Sequence, residues 1–404
     1  MSTFFLYTSP ARGHLYPMMD VALELRSRGH RVVVQTLADE RDAVEAAGVE
    51  HRPIDPRIEA LPLEDWQGAN PLAALRHTLA RWSARAAFEV DDVRRSVEEL
   101  APDVILTDAN ALGACAAAEV SGTKWASHLP YVLPVPSRDA PAFGPGFPPP
   151  AGWFDRLRDD VVWKVQGLAG AGALTPLRAL RASLGAAPFQ TFSDLFRLPP
   201  LLLHRTAVPL EYPRSDWPAN VRHVGPGLWA PLGAAPEWLA ESAGPRTLVS
   251  ISTEHQDDGA IVDAAMAAFV DAPGTTIITT AAVDPGRFRP PGAHIRVERF
   301  LPHPAVLPYV DLVVTHGGMG TTQRALAAGV PLVVVPWGRD QLETAQRVVR
   351  CGAGVAVSKS KLSADSLRKA SEQARLCRDG ARRVAAAFAA AGGAPEAANL
   401  LERL

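Results

Sequence analysis

Strand-like and helix-like segments alternate along this chain, and this alternation limits the possible folds more than any other feature. Residues 3–9 form a short apolar run, residues 17–30 carry apolar side chains at helical spacing, and residues 31–37 form a second apolar run. A strand, a helix and another strand within so short a stretch predict the beginning of a parallel sheet.

The same alternation starts again in the second half of the chain. Residues 220–236 contain several glycines and prolines and are typical of a linker. Beyond them, strand-like runs at residues 246–253, 275–281 and 311–318 alternate with helical segments. We therefore predict an α/β protein with two Rossmann-like domains, each built on a doubly wound parallel sheet.

The length of the chain, 404 residues, suits two domains of ordinary size. We place the first domain at residues 1–219, the linker at 220–236, the second domain at 237–385 and a helical tail at 386–404. The tail is expected to pack back on the first domain. In doubly wound sheets ligands bind beyond the carboxyl ends of the strands, so the cleft where the two domains face each other is the expected site.

Charge and cysteine content argue against several classes of function. The formal net charge of -2 gives no electrostatic reason to expect a nucleic acid as partner. Cys115, Cys351 and Cys377 show no metal-ligand spacing and fit a reducing compartment. Residues 1–10 lack the basic start of a signal peptide, and no apolar run approaches the roughly 20 residues of a membrane-spanning helix. We expect a cytoplasmic monomer or homodimer without stable membrane insertion.

The first strand-to-helix turn argues against nicotinamide and ATP chemistry. Residues 8–17 contain one glycine and no G-x-G-x-x-G fingerprint, and no Walker A sequence occurs in the chain. Both motifs use their glycines to bring the backbone close to phosphates. We therefore expect neither group as a cofactor.

A different glycine-rich turn lies in the second half, where the sequence THGGMGTT occupies residues 315–322 between a strand and a helix. Glycines let backbone amides approach a ligand, and the amides and dipole of a helix N-terminus favour an anion. His316, Thr321 and Thr322 add side-chain donors. Two interpretations fit these eight residues equally well: a diphosphate site, or a structural turn capped by threonines.

A carboxylate and an amide follow the next strand-like run, at Asp340 and Gln341. Side by side, the two groups can hold the vicinal hydroxyls of a sugar. As an isolated dipeptide they would be better explained as the start of a helix.

Residues 299–348, with the sequence RFLPHPAVLPYVDLVVTHGGMGTTQRALAAGVPLVVVPWGRDQLETAQRV, resemble the donor-binding signature of the GT-B family-1 glycosyltransferases. That family includes plant natural-product glucosyltransferases and actinobacterial antibiotic and macrolide glycosyltransferases. The glycine–histidine pair at residues 13–14 and the restart after the linker agree with it. The resemblance implies the GT-B fold, in which two Rossmann-like domains face a central cleft.

The resemblance also implies roles for individual donor-binding residues. In the family an aromatic ring stacks on the nucleobase, backbone groups contact the base, a glutamine binds the ribose, a glycine turn holds the diphosphate, and an acidic–amide pair holds the sugar. Phe300 matches the stacking ring, Leu301 the base contacts and His303 the ribose position. The diphosphate turn is matched by His316, Gly318, Gly320 and Thr321, and Thr253 matches a hydroxyl residue beside the phosphates. Asp340 and Gln341 match the pair that holds the sugar.

Three positions depart from the plant pattern. Gly320 replaces an asparagine, Arg324 replaces the glutamate that binds ribose hydroxyls, and His303 replaces a glutamine. These changes suit a deoxyribose-containing donor, and we expect either a dTDP-sugar or a UDP-sugar.

Sugar transfer needs a base for the acceptor hydroxyl, because an alcohol does not ionise unaided near neutral pH. His14 follows the first predicted strand and faces the expected cleft, and Asp108 ends the strand-like run 102–110. Asp108 could orient and stabilise His14 in an Asp–His dyad. A lone histidine after glycine would more simply be structural, but the family resemblance assigns catalytic roles to both positions. Asp103 is expected to be a structural cap.

The predicted reaction is a direct displacement at the anomeric carbon with inversion, and the charge of the leaving diphosphate is stabilised by residues 316–322. No D-x-D motif is present in the chain, so we expect metal-independent transfer with no cofactor besides the nucleotide-sugar substrate.

Aromatic, proline-rich insertions at residues 56–90 and 125–170 are expected to form the acceptor side. They predict a bulky apolar aglycone such as a polyketide, a macrolide, an enediyne or an aromatic ring system. For each aromatic residue, ordinary core packing is an equally good explanation. The candidates are Trp66, Trp82, Trp125, Tyr131, Phe143 and Trp153.

Three alternatives share the expected fold. A nucleotide-sugar 2-epimerase would bind the donor in the same way and need no aglycone pocket. A non-catalytic activator of another glycosyltransferase would not need His14, Asp340 and Gln341 intact. A transferase for lipid-linked acceptors would need a basic, apolar membrane patch, which the sequence does not show.

Overall fold

The computed structural model describes residues 1–63, 68, 70–231, 233–253 and 256–404. Their first sheet has seven parallel strands in the order β3-β2-β1-β4-β5-β6-β7. The strands are β1 Thr3–Tyr7, β2 Arg31–Thr36, β3 Glu50–Pro53, β4 Val104–Asp108, β5 Lys124–Leu129, β6 Leu202–His204 and β7 Val221–His223.

The second sheet has six parallel strands in the order β10-β9-β8-β11-β12-β13. They are β8 Arg246–Ser250, β9 Thr275–Thr279, β10 Ile295–Glu298, β11 Leu312–Thr315, β12 Leu332–Val334 and β13 Gly354–Ala356. The prediction of two domains, each built on a doubly wound parallel sheet, is confirmed.

Helices cover both faces of each sheet. They are α1 Arg12–Ser27, α2 Arg41–Ala46, α3 Pro56–Glu59, α4 Pro71–Leu100, α5 Leu112–Val120, α6 Trp153–Gly170, α7 Thr175–Leu184, α8 Glu237–Glu241, α9 Ala260–Ala268, α10 His303–Val306, α11 Met319–Ala327, α12 Gln341–Arg350, α13 Ala364–Arg375, α14 Arg378–Ala390 and α15 Gly393–Glu402. Every residue of β4 and of β11 is buried, as expected for strands covered on both sides. No helix within the described ranges is both long and apolar enough to cross a membrane.

Strand order reverses once in each sheet. In the first sheet β1 lies between β2 and β4, and in the second β8 lies between β9 and β11. At such a switch point the loops that leave neighbouring strands diverge to opposite faces and open a crevice at the carboxyl ends. The turn into α1 and the end of β4 therefore meet at the first crevice, and the turn into α11 lies at the second.

The two domains share an apolar interface. Val132 and Leu210 of the first domain belong to the same buried cluster as Leu307, Leu332 and Val348 of the second. The arrangement of the two domains is therefore supported by core packing as well as by the linker.

Two elements of the structure cross the predicted domain limits. The strand Val221–His223 pairs with β6, with Leu202 opposite Val221, so the first domain extends past residue 219 to residue 223. Helix α14 runs through the predicted boundary at residue 385 and packs against α11, so it belongs to the second domain. In both cases contacts with residues distant in sequence assign the element to its domain. The local sequence does not reveal such contacts.

The last helix, α15, lies against α1 of the first domain. Leu401 is fully buried in the core of that domain. Arg28 on α1 donates hydrogen bonds to Asn399 Oδ1 and to Glu402 Oε2, both at 2.8 Å. The chain thus crosses from the second domain back to the first at its end.

Candidate active site

A continuous cleft of ≈ 1870 Å³ separates the two domains at the carboxyl ends of both sheets. Residues of both domains line it, including His14 from the first and Asp340 from the second. Its volume exceeds the roughly 300–1,000 Å³ of a typical small-molecule pocket, so it has room for two substrates.

His14 and Asp108 form a dyad on the first-domain wall of the cleft. His14 lies in the first turn of α1, and its Nδ1 is 2.7 Å from Asp108 Oδ2. The Asp108 side chain is fully buried, while that of His14 is 19% exposed. Asp108 Oδ1 accepts from the amide of Asn110 at 2.8 Å, which fixes the carboxylate. A carboxylate at Nδ1 selects the tautomer with the proton on Nδ1 and the lone pair on Nε2.

Asn110 and Tyr131 extend the dyad. Asn110 Nδ2 is 3.4 Å from His14 Nε2, and the Tyr131 hydroxyl donates to Asn110 Oδ1 at 2.5 Å. The Tyr131 ring meets the His14 ring edge-on, with centroids 5.9 Å apart. Sequence reasoning missed Asn110, although its place two residues after Asp108 at a strand end was a usable signal.

Asp340 lies across the cleft from His14. It is the N-cap of α12, in the turn that follows β12. Burial raises the pKa of its carboxyl, and the nearby charges of Arg339, His14 and Arg347 act in the opposite direction. Two polar groups from different domains therefore face each other at the centre of the cleft.

Gln341 lines the cleft beside Asp340, and its side-chain amide is hydrogen-bonded within the protein. Its Oε1 accepts from the amides of Trp337 at 2.7 Å and Gly338 at 3.0 Å, and its Nε2 donates to Gln256 Oε1 at 2.7 Å. Both ends of the amide are thus bonded to protein. In this structure Gln341 shapes the turn that presents Asp340 to the cleft.

The glycine turn lies between β11 and α11. Gly317 has a φ of +97°, and Gly318 is the N-cap of α11. A Cβ on Gly318 would come within 2.4 Å of His316 Nε2, so the turn packs closely against that ring. The first amides of α11 are thereby left at the cleft, where they can bind an anion.

Two buried imidazoles line the second-domain wall. Burial lowers the pKa of both His303 and His316 to about 4. Arg324 adds to the effect at His303, whose Nε2 is 3.3 Å from Thr279 Oγ1. Both rings are therefore neutral near pH 7 and act as hydrogen-bonding groups rather than as cations.

Arg324 also lies on this wall, at a position that departs from the plant pattern. Its Nη2 donates to the carbonyl of Trp229 at 2.8 Å, and its Nε has no hydrogen-bond partner within the described residues. A Cβ on Gly320 would be 3.1 Å from Arg324 Nη1, which places the guanidinium beside the glycine turn.

All of the predicted donor-binding positions reach the cleft. Phe300 is 56% exposed there, whereas Leu301 is nearly buried and belongs to the core of the second domain. The lining residues from the prediction are Thr253, Phe300, Leu301, His303, His316, Gly318, Gly320, Thr321, Asp340 and Gln341.

The acceptor candidates divide into three groups. Trp82, Tyr131 and Phe143 line the cleft. Trp66 lies outside the described residues. Trp125 and Trp153 are not among the residues that line the cleft.

Trp125 is on β5 opposite Ile105, and it is buried in the core of the first domain, away from the cleft. Trp153 begins α6 with 66% of its surface exposed and stacks on Phe154, with ring centroids 3.7 Å apart. Both predictions fail because aromatic content does not reveal which face of a strand or helix a ring occupies.

Aliphatic side chains complete the first-domain side of the cleft. Leu75 and Leu79 of α4 lie beside Trp82, whose ring is 5.5 Å from that of Phe192. Sequence reasoning missed the leucines, although their spacing on a predicted helix was a signal for a shared face. Within the residues that the structure describes, no group of three or more histidine, cysteine, aspartate or glutamate side chains could hold a metal ion.

Comparison with known proteins gives a consistent result. The family model described as "Erythromycin biosynthesis protein CIII-like, C-terminal domain" matches residues 263–404. The 4'-demethylrebeccamycin synthase of Lentzea aerocolonigenes is 34% identical over 387 residues, which cover 90% of this chain and 89% of the relative. A PGL/p-HBAD biosynthesis glycosyltransferase of Mycobacterium tuberculosis is 30% identical over 308 residues, which cover 73% and 69%. The crystal structure of the glycotransferase of kitacinnamycin has a TM-score of 0.77 and 26% identity, and covers 100% of this chain and 98% of that one.

Proposed function

The chain belongs to the GT-B glycosyltransferases of antibiotic biosynthesis, and on that basis we propose that it transfers a sugar from a nucleoside-diphosphate donor to an apolar natural-product aglycone with inversion. One observation carries the proposal. The His14–Asp108 dyad faces Asp340 and the glycine turn across one cleft, so a base and a diphosphate site flank a common space.

His14 supplies the base in this reaction. Its Nε2 takes the proton of the acceptor hydroxyl while the oxygen attacks the anomeric carbon. Asp108, 2.7 Å from Nδ1, stabilises the imidazolium that forms. The bond from the anomeric carbon to the diphosphate oxygen breaks in the same step, so the configuration at that carbon inverts.

The second-domain wall stabilises the leaving diphosphate. Amides at the start of α11 and the Arg324 guanidinium beside Gly320 supply donors and positive charge there. Since these groups can neutralise the developing charge, the proposed transfer requires neither a metal ion nor a cofactor besides the donor substrate.

Arg324 also influences which donor nucleotide the site prefers. It stands where the plant pattern has the carboxylate that binds ribose hydroxyls. Asp20 contributes to the electrostatics of Arg324, but its oxygens already accept from the amides of Leu228 and Trp229 at 2.6 and 2.8 Å. A donor without the 2'-hydroxyl needs no such carboxylate, so we propose that dTDP-hexoses, deoxyhexoses included, are preferred over UDP-sugars.

The acceptor binds on the first-domain side of the cleft. Leu75, Leu79, Trp82, Phe143 and Phe192 form apolar surface there. Such a wall gains free energy from burying apolar rings or chains and offers little to a polar acceptor. The proposed acceptor class is therefore a bulky apolar aglycone with a free nucleophilic group near His14.

A panel of dTDP- and UDP-hexoses with apolar aglycones, assayed with and without EDTA, tests the proposal. From α-linked donors we expect β-linked products by NMR, at a rate that EDTA leaves unchanged. An α-linked product would contradict the single displacement, and loss of rate in EDTA would contradict metal independence. An epimerised donor without aglycone would indicate the epimerase, and donor binding without turnover would indicate a non-catalytic partner.

A further inference from the structure

One loop of the first domain is attached to the helix that presents Asp340. The loop covers residues 143–147, and Phe143, Gly144 and Pro145 line the cleft. The amides of Gly144 and Gly146 donate to the same oxygen, Glu343 Oε1, at 2.9 and 2.8 Å. Glu343 lies on α12, so these two hydrogen bonds join the acceptor side of the first domain to the donor side of the second.

The fit between loop and helix depends on glycine. Gly144 and Gly146 have φ values of +115° and +67°, a region that residues with a Cβ rarely adopt. A Cβ on Gly146 would also come within 2.7 Å of the Leu342 carbonyl oxygen. The loop backbone therefore lies so close to α12 that a residue with a Cβ at position 146 would displace the loop or the helix.

Glu343 is itself held by a buried ion network. Its Oε2 accepts from Arg347 Nη1 at 2.8 Å, and Arg347 Nε and Nη2 donate to Glu211 Oε1 at 3.1 and 2.9 Å. The three side chains are 1%, 2% and 1% exposed. Because Glu211 follows β6 in the first domain, the network crosses the domain interface a second time.

Charge in the network is balanced. Burial acts to raise the pKa of Glu211, but Arg347 and Arg214 lower it to about 2, so this carboxylate is ionised. Arg214 Nη1 and Nη2 donate to the carbonyls of Val135 and Leu133, which lie on the chain that leads into the loop. Burial raises the pKa of Glu343, and Arg347 acts in the opposite direction. Two arginines thus face two glutamates, and all four side chains are nearly buried.

Such a network is poorly explained by stability alone. Removing charges from water is costly, and well-packed apolar side chains of the same volume often stabilise a core as well or better. A buried ion pair does, however, accept only a narrow range of geometries, since displacement of one partner leaves the other buried and unpaired. The network therefore selects one position of the loop and of the two domains.

We propose that Glu343 is a positioning residue that holds the 143–147 loop against α12, so that the cleft is closed over the donor sugar and water is kept from the anomeric carbon. This inference rests on the proposed function. Without the contact, water can attack the anomeric carbon in place of the acceptor. The bond to the diphosphate then breaks, free sugar and nucleoside diphosphate are released, and no further reactant is needed.

The variants Glu343→Ala, Glu343→Gln and Gly146→Ala separate the parts of this contact. Glu343→Ala removes both the acceptor for the loop amides and the charge, whereas Glu343→Gln keeps an oxygen that can accept from the amides. Gly146→Ala disturbs the loop without altering the charges. Glu372→Ala, at an exposed position on α13, is the matched control.

The decisive measurement is the ratio of donor hydrolysis to sugar transfer. We expect Glu343→Ala and Gly146→Ala to raise this ratio by at least about 10-fold and to raise the KM for the aglycone, while the donor Kd stays within about twofold. Glu343→Gln should have a smaller effect in the same direction, and Glu372→Ala none. An unchanged ratio in both Glu343→Ala and Gly146→Ala would overturn the inference.

Hydrogen exchange of peptides covering residues 143–147 provides a readout that does not depend on activity. We expect faster amide exchange in Glu343→Ala than in Glu343→Gln, because the glutamine still accepts from the loop amides. Equal exchange in Glu343→Ala and the wild type would overturn the loop attachment. Failure of the wild type to transfer any sugar would instead refute the proposed function, and the exchange experiment would still decide whether Glu343 holds the loop.

Discussion

The two walls of the cleft differ in how fully their polar side chains are hydrogen-bonded. On the first-domain wall, His14, Asp108, Asn110 and Tyr131 are joined by side-chain hydrogen bonds between 2.5 and 3.4 Å. On the second-domain wall, Arg324 Nε and Trp337 Nε1 are buried and have no hydrogen-bond partner among the described residues. Among the described lining residues, such atoms are confined to that wall. Unpaired buried donors are costly, which suggests that a ligand completes the second wall.

This difference predicts that the two walls have separate functions in the reaction. In the proposed reaction the first wall is preassembled for proton transfer, so changes there should lower kcat and leave donor affinity intact. In the same proposal the second wall gains its missing contacts when the donor binds, so changes there should act on the donor Kd. The predictions that follow test this division, beginning with the largest expected effect.

Replacement of Asp108 by asparagine should lower kcat by about 10²–10⁴-fold, and by no more than loss of His14 itself, because the dyad would then hold His14 in the wrong tautomer. The donor Kd should stay within about twofold, since Asp108 does not reach the second wall. Steady-state kinetics and calorimetric donor titration measure the two quantities.

Asp103→Asn is the matched control. Asp103 Oδ2 accepts from the amide of Thr3 at 2.7 Å, away from the cleft, so kcat should be unaffected. A large loss of donor affinity in Asp108→Asn would contradict the proposal that the first wall acts on kcat and the second on donor affinity.

Gly318→Ala should raise the donor Kd by about 5- to 150-fold, because overpacking of this kind costs about 1–3 kcal/mol. The added Cβ would lie 2.4 Å from His316 Nε2 and would displace the turn. Gly172→Ala is the control, since a Cβ there has no neighbour within 4 Å. Wild-type donor affinity in Gly318→Ala would argue against a diphosphate at this turn.

Arg324→Gln should weaken binding of a dTDP-sugar by about 10-fold, the order expected for loss of one charge-assisted hydrogen bond. The variant should also reduce the preference for dTDP- over UDP-sugars. Arg382→Gln, at an exposed position on α14, should change neither quantity. Unaltered affinity for both donors would show that Arg324 does not contribute to donor binding.

The smallest expected effect is that of pH on donor affinity. Burial lowers the pKa of His303 and His316 to about 4, so both rings are neutral from about pH 6 to 8. A diphosphate beside them would favour the protonated form, but burial, the largest cause of the shift at both rings, opposes that charge, so we expect the rings to stay neutral in this range. The Kd of an intact nucleotide-sugar should therefore stay constant between about pH 6 and 8. Affinity that increases as the pH falls through this range would contradict neutral rings at the donor site.

The donor wall was the more predictable of the two. Its residues lie in one continuous stretch, 299–348, with the exception of Thr253, and short loops between a strand and a helix fix their geometry locally. The first wall could be predicted only in part, since His14 and Asp108 are 94 positions apart and meet through the pairing of β1 with β4.

The acceptor side and the interface were the least predictable. Trp125 and Trp153 have the composition of a binding site, but the pleat of β5 and the outer face of α6 direct them elsewhere. The contact of Glu343 with Gly144 spans 199 positions and depends on how two domains dock. Nothing in the local sequence of either segment signals it.

The most direct test of the account is the pair of constants measured on His14→Ala: kcat for transfer and Kd for the intact donor. A positioned base contributes about 10²–10⁴-fold to such a reaction, so kcat should fall by that factor while the donor Kd stays within about twofold of the wild-type value. Turnover near the wild-type rate, or a loss that follows the donor Kd, would contradict the assignment of the chemistry to the first wall and of donor binding to the second.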